Sequence, residues 1–273
     1  AAYDLGYLQV GALIERTALA LSTLERLPRH RGHFYNWYDT ETLQPLPPRY
    51  VSTVDSGNLA GHLLTLRQGL LALVDAPLLG PHSFRGLSDT LGVVEHQWRT
   101  LETPDPVLEQ PLTELRLRFD LLRAQSPATI TDAYHALQSL LPAARAIRTA
   151  WAQSAQVPRL QPDDHWPDAL LAACESACEE LVQFCPGIAL RPAGSGAAGI
   201  PSLRALAACN EDPLLQARAR DRIRELERLA HIAGQLSLME YEFLYDRAMR
   251  LLAIGYNVDE RRLDPGHYDL LAS

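Results

Sequence analysis

Apolar residues at Tyr3, Tyr7, Val10, Ile14, Leu21 and Leu24 recur at the spacing of one helix face, which predicts an amphipathic helix over residues 3–27, ended by Pro28. Residues 29–55 break that rhythm. Pro45, Pro47 and Pro48 keep the stretch extended, and a loop of this length inside a domain usually binds or gates something. Asp55 or Ser56 is then placed to cap a second helix, striped by Leu59, Leu63, Leu66, Leu70 and Leu73. Pro77, Gly80 and Pro81 close this hairpin, and a shorter helix is expected over 87–101.

Beyond Pro104 and Pro106 the pattern becomes long Leu, Ala, Arg and Glu stripes over 107–124, 128–153 and 163–184, with a kink expected at Pro142. A glycine- and alanine-rich connector at 193–199 leads to a short helix near 202–208 and a charged one over 213–235. The charge run from Arg218 to Arg228 reads as a solvated face. Residues 241–246 and 250–258 alternate like two strands turning around Asp246, Arg247 and Ala248, which predicts a β-hairpin. The fold class expected is mainly α. Its divisions fall at 1–103 for a helical hairpin with an aromatic and polar loop, 104–236 for a helical insertion or bundle, and 237–273 for the β-hairpin and the start of a further helix.

Composition narrows the chemistry. Across 273 residues, 47% are hydrophobic and 21% charged, which suits a globular chain and argues against wholesale disorder. The formal net charge of −8 argues against a nucleic-acid partner, which would call for a concentrated basic face. All 25 basic residues are arginines, so no mechanism that needs a Schiff-base or phosphate-binding lysine is available. Four cysteines, Cys174, Cys178, Cys185 and Cys209, crowd one third of the chain. A zinc site with His165 can be drawn from three of them, but the spacing matches no compact zinc pattern, and buried thiols in a reducing compartment are the simpler reading. No metal or cofactor is expected. No signal peptide is read at the start and no apolar run is long enough to span a bilayer, while both ends read as helices cut mid-course.

Aromatic residues make up only 7% of the chain, yet Phe34, Tyr35, Trp37, Tyr38 and Tyr50 gather beside Asn36, Asp39, Asp55 and Asn58. Rings that cover the C–H faces of a pyranose, next to amides and carboxylates that hold its hydroxyls, make a sugar-binding cleft. Asn257, Tyr268 and Asp269 form a second, weaker group of the same kind. Two carboxylates facing one cleft would serve glycoside chemistry, but Asp39 also belongs in a turn and Asp55 at a cap, so no catalytic residue is assigned. Trp37, with Tyr35 and Tyr38, either stacks a glucosyl ring or plugs the end of the hairpin. His33 and His62 have no partnered acid or nucleophile at an interpretable spacing and read as structural. No GxSxG, P-loop or dinucleotide fingerprint occurs.

RGHFYNWYDT at 31–40, with PLPPRYVSTVDSGNLAGHLL at 45–64, resembles the middle, glycoamylase-like region of bacterial cyclic β-1,2-glucan synthases, and FLYDRAMRLLAIGYNVDERRLDPGHYDLLAS at 243–273 provides a second match. The resemblance implies a very large parent that joins a membrane-embedded glycosyltransferase, this middle region and a phosphorylase-like region at the cytoplasmic face of the inner membrane. It implies helical hairpins of a partial (α/α)6-type toroid, and a part in the retaining transglycosylation that closes the glucan ring. The expected partners are a β-1,2-glucan chain and the parent's other domains, together with self-association of a piece that exposes apolar faces. It further implies that the catalytic carboxylates lie past this chain, which is expected to be inactive alone. The competing expectation is a non-catalytic helical scaffold that links the synthase's domains.

Overall fold

A computed structural model of the protein describes residues 1–100, 106–154, 165–195, 198–209 and 212–267. The apolar stripes become helices: α1 (Val10–Arg26), α2 (Thr53–Ala72), α3 (Pro81–Arg99), α4 (Pro106–Ala124), α5 (Ile130–Gln153), α6 (Trp166–Phe184), α7 (Leu203–Ala208) and α8 (Pro213–Leu236). The strands are short: β1 (Arg29–His30), β2 (His33–Phe34), β3 (Tyr50–Ser52), β4 (Tyr245–Asp246), β5 (Leu251–Leu252), β6 (Gly255–Asn257) and β7 (Arg262–Leu263). The protein is therefore mainly α. It divides into two units, Ala1–Ile14 with Asp75–Arg222, and Glu15–Val74 with Ile223–Ser273.

In the first unit, α3 packs on α4 and α6, and α5 packs on the same two helices, so four helices close a cycle. Their periodic apolar faces supply the centre: Leu87, Leu91, Leu115, Leu137, Leu140, Ile147, Leu170 and Leu181 are fully buried. Pro81 opens α3 at a position where its missing N–H costs nothing. α5 opens on a capping box, in which the Thr129 side chain accepts from Asp132 N–H at 3.1 Å and Asp132 accepts from Thr129 N–H at 3.1 Å. α5 is continuous through Pro142, with Leu137, Leu140 and Ile147 buried on either side of it. Arg116 of α4 holds Glu95 of α3 through two bonds of 2.9 and 2.8 Å, and Ser88 through a third of 3.0 Å. Glu180 is buried against Arg222 and accepts from Gly11 N–H at 3.3 Å, so the charge is paired where water is excluded.

In the second unit the organising contacts are between backbones far apart in sequence. β3 pairs antiparallel with β6, Tyr50 opposite Asn257, Val51 opposite Tyr256 and Ser52 opposite Gly255, and β7 extends the sheet from β6. Thr53, at the first turn of α2, adds two more bonds to this register: its N–H donates to Ile254 C=O at 3.0 Å and its hydroxyl to Ala253 C=O at 2.6 Å, 200 residues away. A side chain at 255 would run into the Tyr50 ring at 2.4 Å, so only glycine fits there. β1 and β2 form a hairpin whose tip, Arg31 and Gly32, takes left-handed φ values of 51° and 87°, the twist that suits a two-residue turn.

The helix expected over 87–101 begins already at Pro81, and three further expectations change. The first helix starts at Val10 rather than near residue 3, because Gly6 takes φ +82° and packs against the backbone of His82 and Gly86, where a helix cannot continue. The cap of α2 is Ser52, neither Asp55 nor Ser56: β6 holds Tyr50–Ser52 extended, so the helix begins as soon as that pairing ends, and the Ser52 hydroxyl accepts from Asp55 N–H at 3.2 Å. The expected hairpin near the end is present as β4 against β5, but 250–258 is not one strand. Its later part, β6, leaves the hairpin to pair with β3.

Candidate functional site

β2 hands the chain to the 35–49 loop, and β3 returns it to the start of α2. The loop is tied down by its own backbone: Asn36 N–H donates to Tyr50 C=O at 2.9 Å, Leu46 N–H to Trp37 C=O at 3.0 Å, and Asp39 N–H to Gln44 C=O at 2.9 Å. Between this loop and the first turns of α2 lies an open hollow of about 420 Å³, lined by Phe34, Tyr35, Asn36, Trp37, Asp55, Ser56 and Leu59. Trp37 is 53% exposed, a large apolar ring left facing water beside polar groups.

Of the residues singled out from the sequence, Tyr35, Asn36, Trp37 and Asp55 meet at this hollow. Asn36 accepts from Ser52 N–H through Oδ1 at 3.2 Å, which orients the amide and leaves its NH2 as donor. Asp55 lies in the first turn of α2, beside the positive end of the helix dipole. Tyr38 is committed elsewhere. Its hydroxyl accepts from Tyr35 N–H at 2.9 Å and donates to Pro28 C=O at 2.7 Å, and burial raises its pKa above the usual tyrosine value. Asp39 closes its own turn, accepting from Glu41 N–H, Thr42 N–H and the Thr42 hydroxyl at 3.0, 2.7 and 2.8 Å, and these donors hold its carboxyl below the usual range. Asn58 is exposed on α2. Asn257 stands opposite Tyr50 in the sheet and accepts from Glu260 N–H at 3.0 Å, so it closes the turn between β6 and β7. Tyr268 and Asp269 lie outside the described residues.

Behind the hollow is a layer the sequence did not announce. His33 is fully buried, with Tyr241 and Phe243 edge-on at 5.0 and 5.3 Å, and Phe243 meets Tyr256 at 5.2 Å. His33 Nε2 is 2.7 Å from Glu240 C=O and Nδ1 is 2.8 Å from the Ser56 hydroxyl. Burial lowers its pKa. His33 is thus enclosed by rings and engaged at both ring nitrogens. Ser56 is 23 residues from it, but Glu240, Tyr241 and Phe243 come from more than 200 residues away, and the signal for the two rings was the aromatic content of YEFLYD.

Cys174 and Cys178 are buried in α6, and burial pushes their thiols up to about 12 and about 11, which makes them packing groups rather than nucleophiles. No grouping of three His, Cys, Asp or Glu able to hold a metal occurs among the described residues, and no helix among them is long and apolar enough to cross a membrane.

Fold and site together define a mainly helical protein with an open, aromatic and polar hollow at the start of one helix. From end to end the chain is 30% identical, over 290 aligned residues, to the cyclic β-(1,2)-glucan synthase NdvB of Rhizobium meliloti (strain 1021). It is thus similar to a segment of such a synthase, as RGHFYNWYDT suggested, and it spans 9% of that protein's length. No protein-family model matches the chain.

Proposed function

We propose that this chain is part of the sugar-handling middle region of a cyclic β-1,2-glucan synthase, and that the hollow receives a glucosyl unit of the β-1,2-glucan chain during ring closure. The observation that carries the reading is the exposed Trp37 ring beside Tyr35, Asn36 and Asp55 in one hollow of about 420 Å³. An aromatic face for the C–H surface of a pyranose lies next to an amide donor and a carboxylate acceptor for its hydroxyls. On this reading the helices form part of an (α/α)6-type toroid with 104–236 as an insertion, and the partners are glucan and the parent's other domains at the cytoplasmic face of the inner membrane.

The hollow binds without turning over its ligand. Glycoside chemistry needs two carboxyl groups flanking the bond, and Asp55 is the one carboxylate among the lining residues, Asp39 being spent in its own turn. Any second carboxylate is supplied from elsewhere in the parent. Tyr38, Asp39 and Asn257 favour the scaffold alternative for themselves, since their polar atoms hold local backbone.

Titration with linear β-1,2-gluco-oligosaccharides, followed by NMR, tests the reading. Saturable shifts at residues 34–37 and 55–59 are expected. Trp37→Ala removes an exposed stacking face, so affinity falls about two- to tenfold, a loss of roughly 0.5–1.5 kcal/mol, while the melting temperature stays put. A folded chain that binds no oligosaccharide overturns it.

A further inference from the structure

Resting on that reading of the hollow, we infer that the Ser56 hydroxyl is its directional acceptor, accepting a hydrogen bond from a ligand hydroxyl while its own proton is held by His33. The argument begins at Glu240, whose backbone carbonyl has no proton to give. The His33 nitrogen 2.7 Å from it, Nε2, must therefore carry the ring hydrogen and donate. In a neutral ring this leaves Nδ1 bare. The Ser56 hydroxyl, 2.8 Å from Nδ1, is then obliged to be the donor of that pair. A hydroxyl has one proton, and with that proton turned toward His33 only lone pairs remain to face the hollow that Ser56 lines.

The ring cannot readily turn to undo this. His33 is fully buried, Tyr241 and Phe243 stand edge-on to it, and its strand partner is His30 across the β1–β2 turn. Burial also favours the neutral ring, in agreement with the geometry. His33 is thus a positioning residue that acts through Ser56. The lining then carries a donor and two acceptors of separate origin: the Asn36 amide, the Asp55 carboxylate and the Ser56 oxygen. A sugar hydroxyl placed at Ser56 must give its proton. A group of the same size that can only accept meets a lone pair and is rejected.

Two measurements on the folded chain test this. The first is long-range 1H–15N NMR of His33, where a protonated Nε2 and a bare Nδ1 are expected at neutral pH; the opposite tautomer overturns the inference without any ligand. The second is a double-mutant cycle of protein and ligand, with wild type and Ser56→Ala each titrated with β-1,2-glucotriose and with its singly deoxyfluorinated analogues, in which C–F cannot donate. One analogue is expected to bind wild type about three- to tenfold more weakly than the parent sugar, and Ser56→Ala is expected to bind that pair alike. If Ser56→Ala binds the parent sugar as tightly as wild type, or every analogue discriminates equally in both proteins, Ser56 is not the acceptor and this inference alone falls. If wild type binds no sugar, the reading of the hollow falls and takes this inference with it.

Discussion

The four-helix cycle of α3 to α6 and the region around β3 and the start of α2 are held by different kinds of contact. In the cycle, fully buried leucines such as Leu87, Leu115, Leu137 and Leu170 supply the centre, and polar pairs such as Glu95 with Arg116 and Ser88 are added to that apolar packing. Around β3, the buried side chains include His33, Ser52, Thr53 and Ser56, each of which makes a named hydrogen bond. Apolar packing has no preferred direction and leaves no polar group to serve a ligand. A polar network has direction, and wherever it meets an open hollow its remaining donors and acceptors become recognition groups. The same chain thus holds one region chiefly by apolar packing and leaves polar groups at an open hollow in the other.

That contrast is open to experiment, and the largest effect belongs to the cycle. Leu137→Ala removes a fully buried side chain from α5, and a loss of about 2–5 kcal/mol is expected in denaturant unfolding. A loss under 1 kcal/mol would mean that the cycle is loosely packed and the contrast overdrawn. Next comes Tyr38→Phe. The ring and its volume remain, but Tyr35 N–H and Pro28 C=O both lose a partner, so a cost of about 1–3 kcal/mol is expected although no apolar contact is lost. A Tyr38→Phe protein as stable as wild type would show that the loop is held by packing after all.

The smallest effect is the response to acid. Burial lowers the pKa of His30 and His33, in β1 and β2, below the ordinary histidine value of 6.5, and His82 in the first unit is lowered in the same way. Between the lowered values and 6.5 the unfolded chain binds more protons than the folded one. The stability these histidines contribute is therefore complete above pH 6.5 and is lost as pH falls through their folded values. Melting temperature should drop between pH 7 and pH 5, and histidine NMR resonances should assign the larger part to β1 and β2. A flat profile across that window would mean that these rings are not held neutral.

Helices were legible wherever one face repeats. The stripes at 107–124, 128–153 and 213–235 lie within two residues of α4, α5 and α8, because burying a helix face is a local pattern written every three or four residues. The start of the first helix was misread because the tight approach of Gly6 to His82 and Gly86 depends on a segment some 80 residues away. The cap of α2 was placed at Asp55 or Ser56 for a similar reason: each is a good capping residue, but the choice belongs to β6, which holds Ser52 extended. Of the eight candidate site residues that are described, half meet at the hollow. Trp37, Tyr35, Asn36 and Asp55 converge, while Tyr38, with the same ring and hydroxyl as Tyr35, turns inward to Pro28.

By itself, then, the sequence determined the helical class, the positions of the apolar faces, and the aromatic and amide character of the 34–58 stretch, since composition and period are properties of neighbouring residues. Only the tertiary structure decided which of those polar atoms remain to face a ligand. A hydroxyl or amide can be spent on any backbone group within about 3 Å, and whether Ser56 answers to His33, or His33 to Glu240, is settled by segments that meet only when the chain has folded.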